Sequence, residues 1–376
     1  MNKAGPGLKW RTAYGSLALV VFNMALFFLL IEGLSRLILG MLDPVQTHDR
    51  RIITHFGEDK LKEIYPGRTW NAIRSLLGET WSRPHVYEPF VQFREAEVSG
   101  QAVQVTRAGF RRHHATPQPW PPDPKHWNAF LFGGSTVFGY GVAGEDTIAA
   151  NLEQALPRMN GRKVQVYNFG QGFYYSSQEL IQFQRLLVSG HRPDAAIFLD
   201  GLNDFFHERD QPFYTERLRR MMSSDPERSI VPRIPELAVV RLTHKVLPRI
   251  IPESPPPPPE TSPILHAVID RYLANQRLIR AAAAAFDVRT LFAWQPVPVW
   301  HHQPGQHLVR GELTEHPRVA PGYELFFQRL QRQPSENQLI WCAEVQTGIH
   351  ELLYVDRVHY NSRMNALIAR CLADGL

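Results

Sequence analysis

Three short apolar runs limit what this chain can fold into: Asn128–Phe132 (NAFLF), Val164–Tyr167 (VQVY) and Ala195–Leu199 (AAIFL). Runs of this length, closed by glycine, asparagine or aspartate, read as buried strands rather than helices. Between them lie two helical patterns, Asp146–Leu156 with an acidic start that suits a helix N-terminus, and Ser177–Val188. Strands alternating with helices predict βαβ units and a parallel sheet. The rhythm continues with a helix over Val268–Phe286, a fourth strand over Thr290–Gln295, and closing helices over Ser335–Ile349 and Ser362–Leu372. With 44% hydrophobic and 20% charged residues, 376 residues suffice for one large α/β domain with appendages.

The N-terminus carries a different signal. Ala13–Ile31 is uncharged and strongly apolar, and the apolar character runs on past Glu32 to Leu42. A helix crossing the hydrocarbon layer needs about 20 such residues. A cleaved signal peptide competes with this reading, but its apolar region is shorter and ends in small residues, which Ile31–Arg36 does not offer. An uncleaved anchor is therefore expected. Lys3, Lys9 and Arg11 before the span place the N-terminus in the cytoplasm, although Arg36, Arg50 and Arg51 weaken the bias. Glu32 and Arg36 are i, i+4 partners. The expected organisation is a cytoplasmic segment (1–12), a transmembrane anchor (13–42), a linker with a small β-rich collar (43–125) and the α/β domain (126–376). A Pro-rich insertion over 205–263, including a run of five prolines, interrupts that domain as a lid-like excursion. The expected location is the inner membrane, single-pass, with the α/β domain outside the cytoplasm.

In open α/β sheets, ligands bind outside the carboxyl ends of the strands, so the residues just after each strand carry the chemistry. Those residues are Gly133-Gly134-Ser135-Thr136, then Asn168-Phe169-Gly170-Gln171-Gly172-Phe173, then Gly201-Leu202-Asn203-Asp204. Asp356-Arg357-Val358-His359 precedes the last helix. A serine hydroxyl needs a base to take its proton, His359 can be that base, and Asp356 can orient its imidazole. The oxyanion of a tetrahedral intermediate needs donors. The candidates are the Ser135 N–H, a backbone N–H at Gly172 or Phe173, and the Asn203 amide. Each block alone could be an ordinary turn. Four in this order are harder to explain so.

Together, Gly-Gly-Ser135, Asn168-x-Gly170, Gly201-x-Asn203-Asp204 and Asp356-x-x-His359 resemble the four blocks of the SGNH (GDSL-like) hydrolase superfamily over roughly residues 126–376. The resemblance implies a flavodoxin-like α/β/α sandwich and esterase, lipase or acyl-transfer chemistry on an ester or acylated carbohydrate. It carries over directly at Ser135, Asn203, Asp356 and His359. The first block reads GGS where GDS is usual, a spelling shared with membrane-anchored relatives. The second block aligns the family's oxyanion glycine with Phe173, or with Gly172 if one gap is allowed. Gln295-Pro296 also looks like relatives of this type, and Gln295, Tyr174 and Phe138 are candidate substrate contacts at the rim.

Other chemistries fit less well. Gly139-x-Gly141-x-x-Gly144 starts well beyond its strand and lacks the acidic residue of a dinucleotide site. Val137 stands where a G-x-S-x-G elbow needs its second glycine. The net charge of +5 is spread without aromatic interleaving, which argues against a nucleic-acid partner. The adjacent pairs His113/His114 and His301/His302 lack metal-ligand spacing, so no metal or other cofactor is expected. Cys342 and Cys371 are too few for a disulfide framework, though a single bridge between them stays open. The aromatics Phe138, Tyr140, Phe173, Tyr174 and Tyr175 near the blocks also suit an O-acyltransferase that passes the acyl group to a surface polysaccharide. An inactive scaffold is the remaining alternative, opposed by the four filled positions.

Overall fold

The computed structural model describes residues 6–42, 48–113, 118–223, 237–240, 242–243, 261–301, 317–332 and 339–376. The chain divides into two compact units, residues 1–46 with 218–258, and residues 47–217 with 259–376. The proline run of the 205–263 insertion lies outside the described residues, as do His114 and His302.

The smaller unit is built on the helix Pro6–Leu42, whose Tyr14–Leu39 portion is long and apolar enough to cross a membrane. Its large apolar side chains point outward and remain exposed. Glu32 interrupts the apolar run but is satisfied locally: it pairs with Arg36 (3.1 Å) and accepts the Ala238 and Val239 amides at 2.9 and 3.0 Å.

Among the described residues, the larger unit contains five parallel strands: β1 (Trp127–Gly133), β2 (Arg162–Asn168), β3 (Ala195–Asp200), β4 (Arg289–Trp294) and β5 (Leu339–Trp341). Their order in the sheet is β2-β1-β3-β4-β5, that of a flavodoxin-like doubly wound fold. Side chains alternate between the two faces. Ala129, Leu131, Val166, Ile197 and Leu199 pack with Ile148 and Leu152 of the helix Ile148–Ala155 and with Ile368 of Ser362–Asp374. Phe130, Phe132, Tyr167, Phe198 and Phe292 face the helices Ser176–Val188 and Thr261–Ala284. On that face Phe132, Phe198 and Phe292 stack across three strands at centroid separations of 4.8 and 5.3 Å. The register pairs Leu131 with Asn168 and Gly133 with Leu199, so the loops after β1, β2 and β3 open side by side.

Two stretches differ from their sequence reading. Residues 43–125, expected as a linker and β-rich collar, contain the helices His48–Ile64 and Trp70–Trp81 before any strand. Trp70–Trp81 is capped by Thr69, whose hydroxyl accepts the Ala72 N–H at 3.3 Å, and it buries Ile73, Leu76, Leu77 and Thr80 along one stripe. The hairpin His85–Glu88/Gln92–Glu95 follows. The short strands Val98–Ser99, Gln104–Val105 and Arg111–Arg112 then extend the main sheet antiparallel beyond β2. Within Ser335–Ile349, expected as a helix, the described part is β5 followed by a single 3-10 turn, Cys342–Gln346. The helix Val319–Arg332 had no counterpart in the sequence reading. Cys342 and Cys371 form a disulfide that ties the end of β5 to the last helix.

Candidate active site

The site begins where β1 ends. Ser135 opens a single helical turn, Ser135–Phe138, and the neighbouring loop clamps that turn. Asn168 Nδ2 donates to Val137 O (2.9 Å) while its Oδ1 accepts the Gly170 N–H (3.0 Å). A Cβ at Gly170 would stand 2.3 Å from Phe138 N, so only glycine lets the two loops approach this closely. The Gly139–Gly144 pattern is the turn leaving this helix, and Tyr65 donates its hydroxyl to Gly141 O at 2.7 Å.

The Asp356–His359 turn meets Ser135 across the cleft. Asp356 Oδ1 accepts the Val358 and His359 amides (2.9 and 2.7 Å), which fixes the carboxylate, and its Oδ2 lies 2.7 Å from His359 Nδ1. His359 Nε2 lies 2.9 Å from Ser135 Oγ. An Nδ1–H donated to Asp356 leaves the Nε2 lone pair facing the serine hydroxyl, the tautomer that proton abstraction needs. Hydroxyl, imidazole and carboxylate therefore touch in series.

Asn203 lies in the loop after β3 and lines the same cleft. Its Nδ2 donates to Tyr174 O at 2.6 Å, leaving a second hydrogen for another acceptor. It approaches the serine over Gly134, where a Cβ would come within 2.4 Å of Asn203 Nδ2. Phe173 also lines the cleft, in a left-handed conformation (φ 64°) rare for a non-glycine residue. Gly172 sits behind it against the Tyr140 hydroxyl.

The cleft has a volume of about 580 Å³. The segment before the sheet supplies one wall through Trp81, Arg83 and His85, and Phe173, Phe206 and Phe213 surround the mouth. The Phe173 and Phe213 rings stack 4.5 Å apart. Sequence reasoning missed the first wall. The helical spacing of Ile73, Leu76, Leu77 and Thr80 signals the helix that ends at Trp81, but not the place of Trp81 in the cleft. Conversely, Gln295, Tyr174 and Phe138, expected at the rim, are all buried and none lines the cleft. Gln295 Oε1 accepts from Thr136 (3.2 Å), Tyr174 donates its hydroxyl to Phe93 O, and Phe138 lies under the Arg83 guanidinium. Their roles are in packing and orientation.

Beneath the cleft the Glu95 carboxylate interacts with the Arg83 and Arg111 guanidinium groups. Burial alone would raise the Glu95 carboxyl, but the His85 hydrogen bond, the Arg83 charge and the Tyr140 hydroxyl outweigh it and hold Glu95 below its ordinary value. Arg111 is fully buried, which brings its guanidinium down to about 9, helped by the nearby Arg83 charge. Behind the Asn203 loop, burial pushes the carboxyls of Glu179 and Asp200 well up, each reinforced by neighbouring acids, and raises Asp204 as well. The Asp200 charge disfavours ionisation of the buried Glu179, so the pair retains a proton. Such a carboxyl adds stability that is complete below its unfolded value, roughly pH 4, and is lost as pH rises through the higher folded value. Glu179→Gln is therefore expected to reduce the loss of stability in urea melts as pH rises above the ordinary carboxylate range. An equal loss in variant and parent would remove the retained proton from the account. Among the described residues, no three His, Cys, Asp or Glu side chains are grouped to hold a metal ion.

A doubly wound sheet with this serine, imidazole and carboxylate at its carboxyl edge defines the class, and the chain belongs to the GDSL-like lipase/acylhydrolase family, whose model matches residues 131–320. Among solved structures it is similar to a putative lipolytic protein of the G-D-S-L family from Desulfitobacterium hafniense, with 12% identity and a TM-score of 0.38 over 67% of this chain and 100% of that one. A G-D-S-L family protein from Veillonella parvula matches with 11% identity and a TM-score of 0.36 over 66% of this chain and 96% of that one. An acetylxylan esterase from Geobacillus stearothermophilus matches with 14% identity and a TM-score of 0.35 over 66% of this chain and 93% of that one. No curated protein matches the chain.

Proposed function

We propose that the protein is a membrane-anchored serine ester hydrolase in which Ser135 attacks the ester carbonyl, His359 takes and returns the proton, and Asp356 orients and stabilises the imidazolium. The observation that carries the reading is the contact series Ser135 Oγ–His359 Nε2–Asp356 in an open cleft. The oxyanion of the tetrahedral intermediate would be held by the Ser135 N–H, the Asn203 amide and a backbone N–H of the 172–173 turn. Of that turn, Phe173 is favoured because it lines the cleft and takes the left-handed conformation that a glycine would normally supply. The test is labelling of the purified chain by a fluorophosphonate together with turnover of short-chain aryl esters. Absence of both would end the hydrolase reading.

The acyl acceptor distinguishes a second reading, transfer to a sugar hydroxyl in place of water. The exposed rings of Phe173, Phe206 and Phe213 at the mouth favour it, since a flat apolar platform suits a sugar face. Incubating the protein with an acyl donor and an oligosaccharide would yield free acid under the first reading and acylated sugar under the second.

The anchor is assigned to Tyr14–Leu39, single-pass in the inner membrane with the catalytic unit outside the cytoplasm. Its length and outward apolar side chains support this, as does the Cys342–Cys371 bridge, since disulfides persist in oxidising compartments. Deleting residues 1–42 is expected to move the protein from the membrane to the soluble fraction with its esterase activity retained. A deletion variant that still sediments with membranes would contradict the single anchor.

A further inference from the structure

Asp356 and Ser135 touch His359 only in the plane of its ring, at Nδ1 and Nε2. Those contacts set the direction of the imidazole but do not support its faces against the open cleft. The Tyr140 ring does so: it lies nearly parallel to the imidazole, 26° and 5.3 Å between centroids, while Trp81 meets the imidazole edge-on at 5.8 Å.

Tyr140 is itself held from two directions. Arg111 is buried beneath the loop and donates through Nη1 to the carbonyls of Phe138 (2.9 Å) and Gly139 (2.7 Å) and through Nη2 to Val142 O (2.7 Å). The Tyr140 hydroxyl donates to Glu95 Oε1 at 2.5 Å. Glu95 is fixed in turn: its N–H donates to Gln171 Oε1 (2.8 Å), and its carboxylate pairs with Arg83 Nε (3.2 Å) and lies 3.6 Å from His85 Nε2. The Arg83 guanidinium also sits 5.0 Å from the Tyr140 ring centroid. Glu95 offsets that positive charge, which would otherwise oppose the imidazolium formed when His359 takes the serine proton.

We propose that Tyr140, anchored by Glu95, is a positioning residue that holds the His359 imidazole in line with Ser135, so that the segment before the sheet completes the active site. The inference rests on His359 acting as the general base. Near-attack geometry is steep in rate: a misplacement of a reacting group by about 1 Å, caused by a change away from the bond being broken, can cost about a hundredfold. Tyr140 lines the cleft but is only 9% exposed, with its ring stacked on His359, so the effect should fall on kcat more than on KM.

The experiment compares the full chain in detergent with Tyr140→Phe and Tyr140→Leu, using Ser135→Ala as the zero for short-chain aryl ester hydrolysis. Tyr140→Leu is expected to lower kcat by about a hundredfold with KM nearly unchanged. Tyr140→Phe keeps the ring over the imidazole and is expected to recover most of that loss, remaining about tenfold below the parent for want of the Glu95 anchor. The low-field proton resonance of the His359–Asp356 hydrogen bond should survive in the Phe variant and broaden or vanish in the Leu variant. A merely structural role would leave that resonance in place in any folded protein. Should the Leu variant fail to fold, the tenfold loss in the Phe variant with an unchanged melting temperature still decides. Parent-like kcat in both variants would overturn the positioning role alone, whereas a parent chain that neither hydrolyses nor binds a fluorophosphonate would remove the hydrolase reading first.

Discussion

Alanine at position 135 is expected to lower kcat for a short-chain aryl ester by about 10⁵–10⁶-fold, with no change in fold. The size follows from the roles assigned to the three side chains. Without the hydroxyl there is no acyl-enzyme, and what remains is the contribution of binding and the oxyanion donors to attack by water. The fold should not notice, because among the described residues Ser135 Oγ makes one side-chain hydrogen bond, to His359 Nε2, and the imidazole keeps its Asp356 hydrogen bond and its Tyr140 stack. Parent and variant should therefore melt together, and fluorophosphonate labelling should disappear with turnover. Labelling that persists in the variant would place the nucleophile elsewhere and dissolve the functional meaning of the Ser135–His359 contact. Asp356→Asn is expected to cost somewhat less, about 10⁴-fold, because it spoils the tautomer and leaves the nucleophile in place.

The sheet was legible because its central strands, Trp127–Gly133 and Ala195–Asp200, are buried on both faces and therefore read as near-continuous apolar runs. Asn128–Phe132 and Ala195–Leu199 fell inside observed strands at Trp127–Gly133 and Ala195–Asp200. The fifth strand, Leu339–Trp341, is three residues long, too short to show a period, and the polar residues around it mimicked a helix. The four motif blocks were legible because they follow strand ends directly. Which neighbours of those blocks face the cleft was not. Phe138 and Tyr174 sit within a few residues of Ser135 and Phe173 yet point into the protein, since adjacency in sequence says nothing about side-chain direction on a turn. The wall formed by Trp81, Arg83 and His85 reaches the site only through tertiary packing, as does the Cys342–Cys371 bridge, whose partners are 29 positions apart. A left-handed residue is readable when it is glycine; at Phe173 the sequence hides it.

The departure from the usual first block also has a measurable consequence. Asn203→Ala removes one donor to the oxyanion and is expected to lower kcat by about 10²–10³-fold. Gly134→Ala should reproduce much of that loss without touching substrate. A Cβ at position 134 would lie 2.4 Å from Asn203 Nδ2 and 3.1 Å from Tyr174 O, and of these two atoms the first is the end of a side chain and can swing away. The clash is then relieved by moving the amide out of the site, so the cost appears in kcat and only weakly in stability. The two changes act on one group and should not add: Gly134→Ala combined with Asn203→Ala is expected to be no slower than Asn203→Ala alone. If instead the double variant loses the product of the two single effects, Gly134 acts through something other than the Asn203 amide, and the close approach of the two loops ceases to explain why glycine occupies the position before the nucleophile.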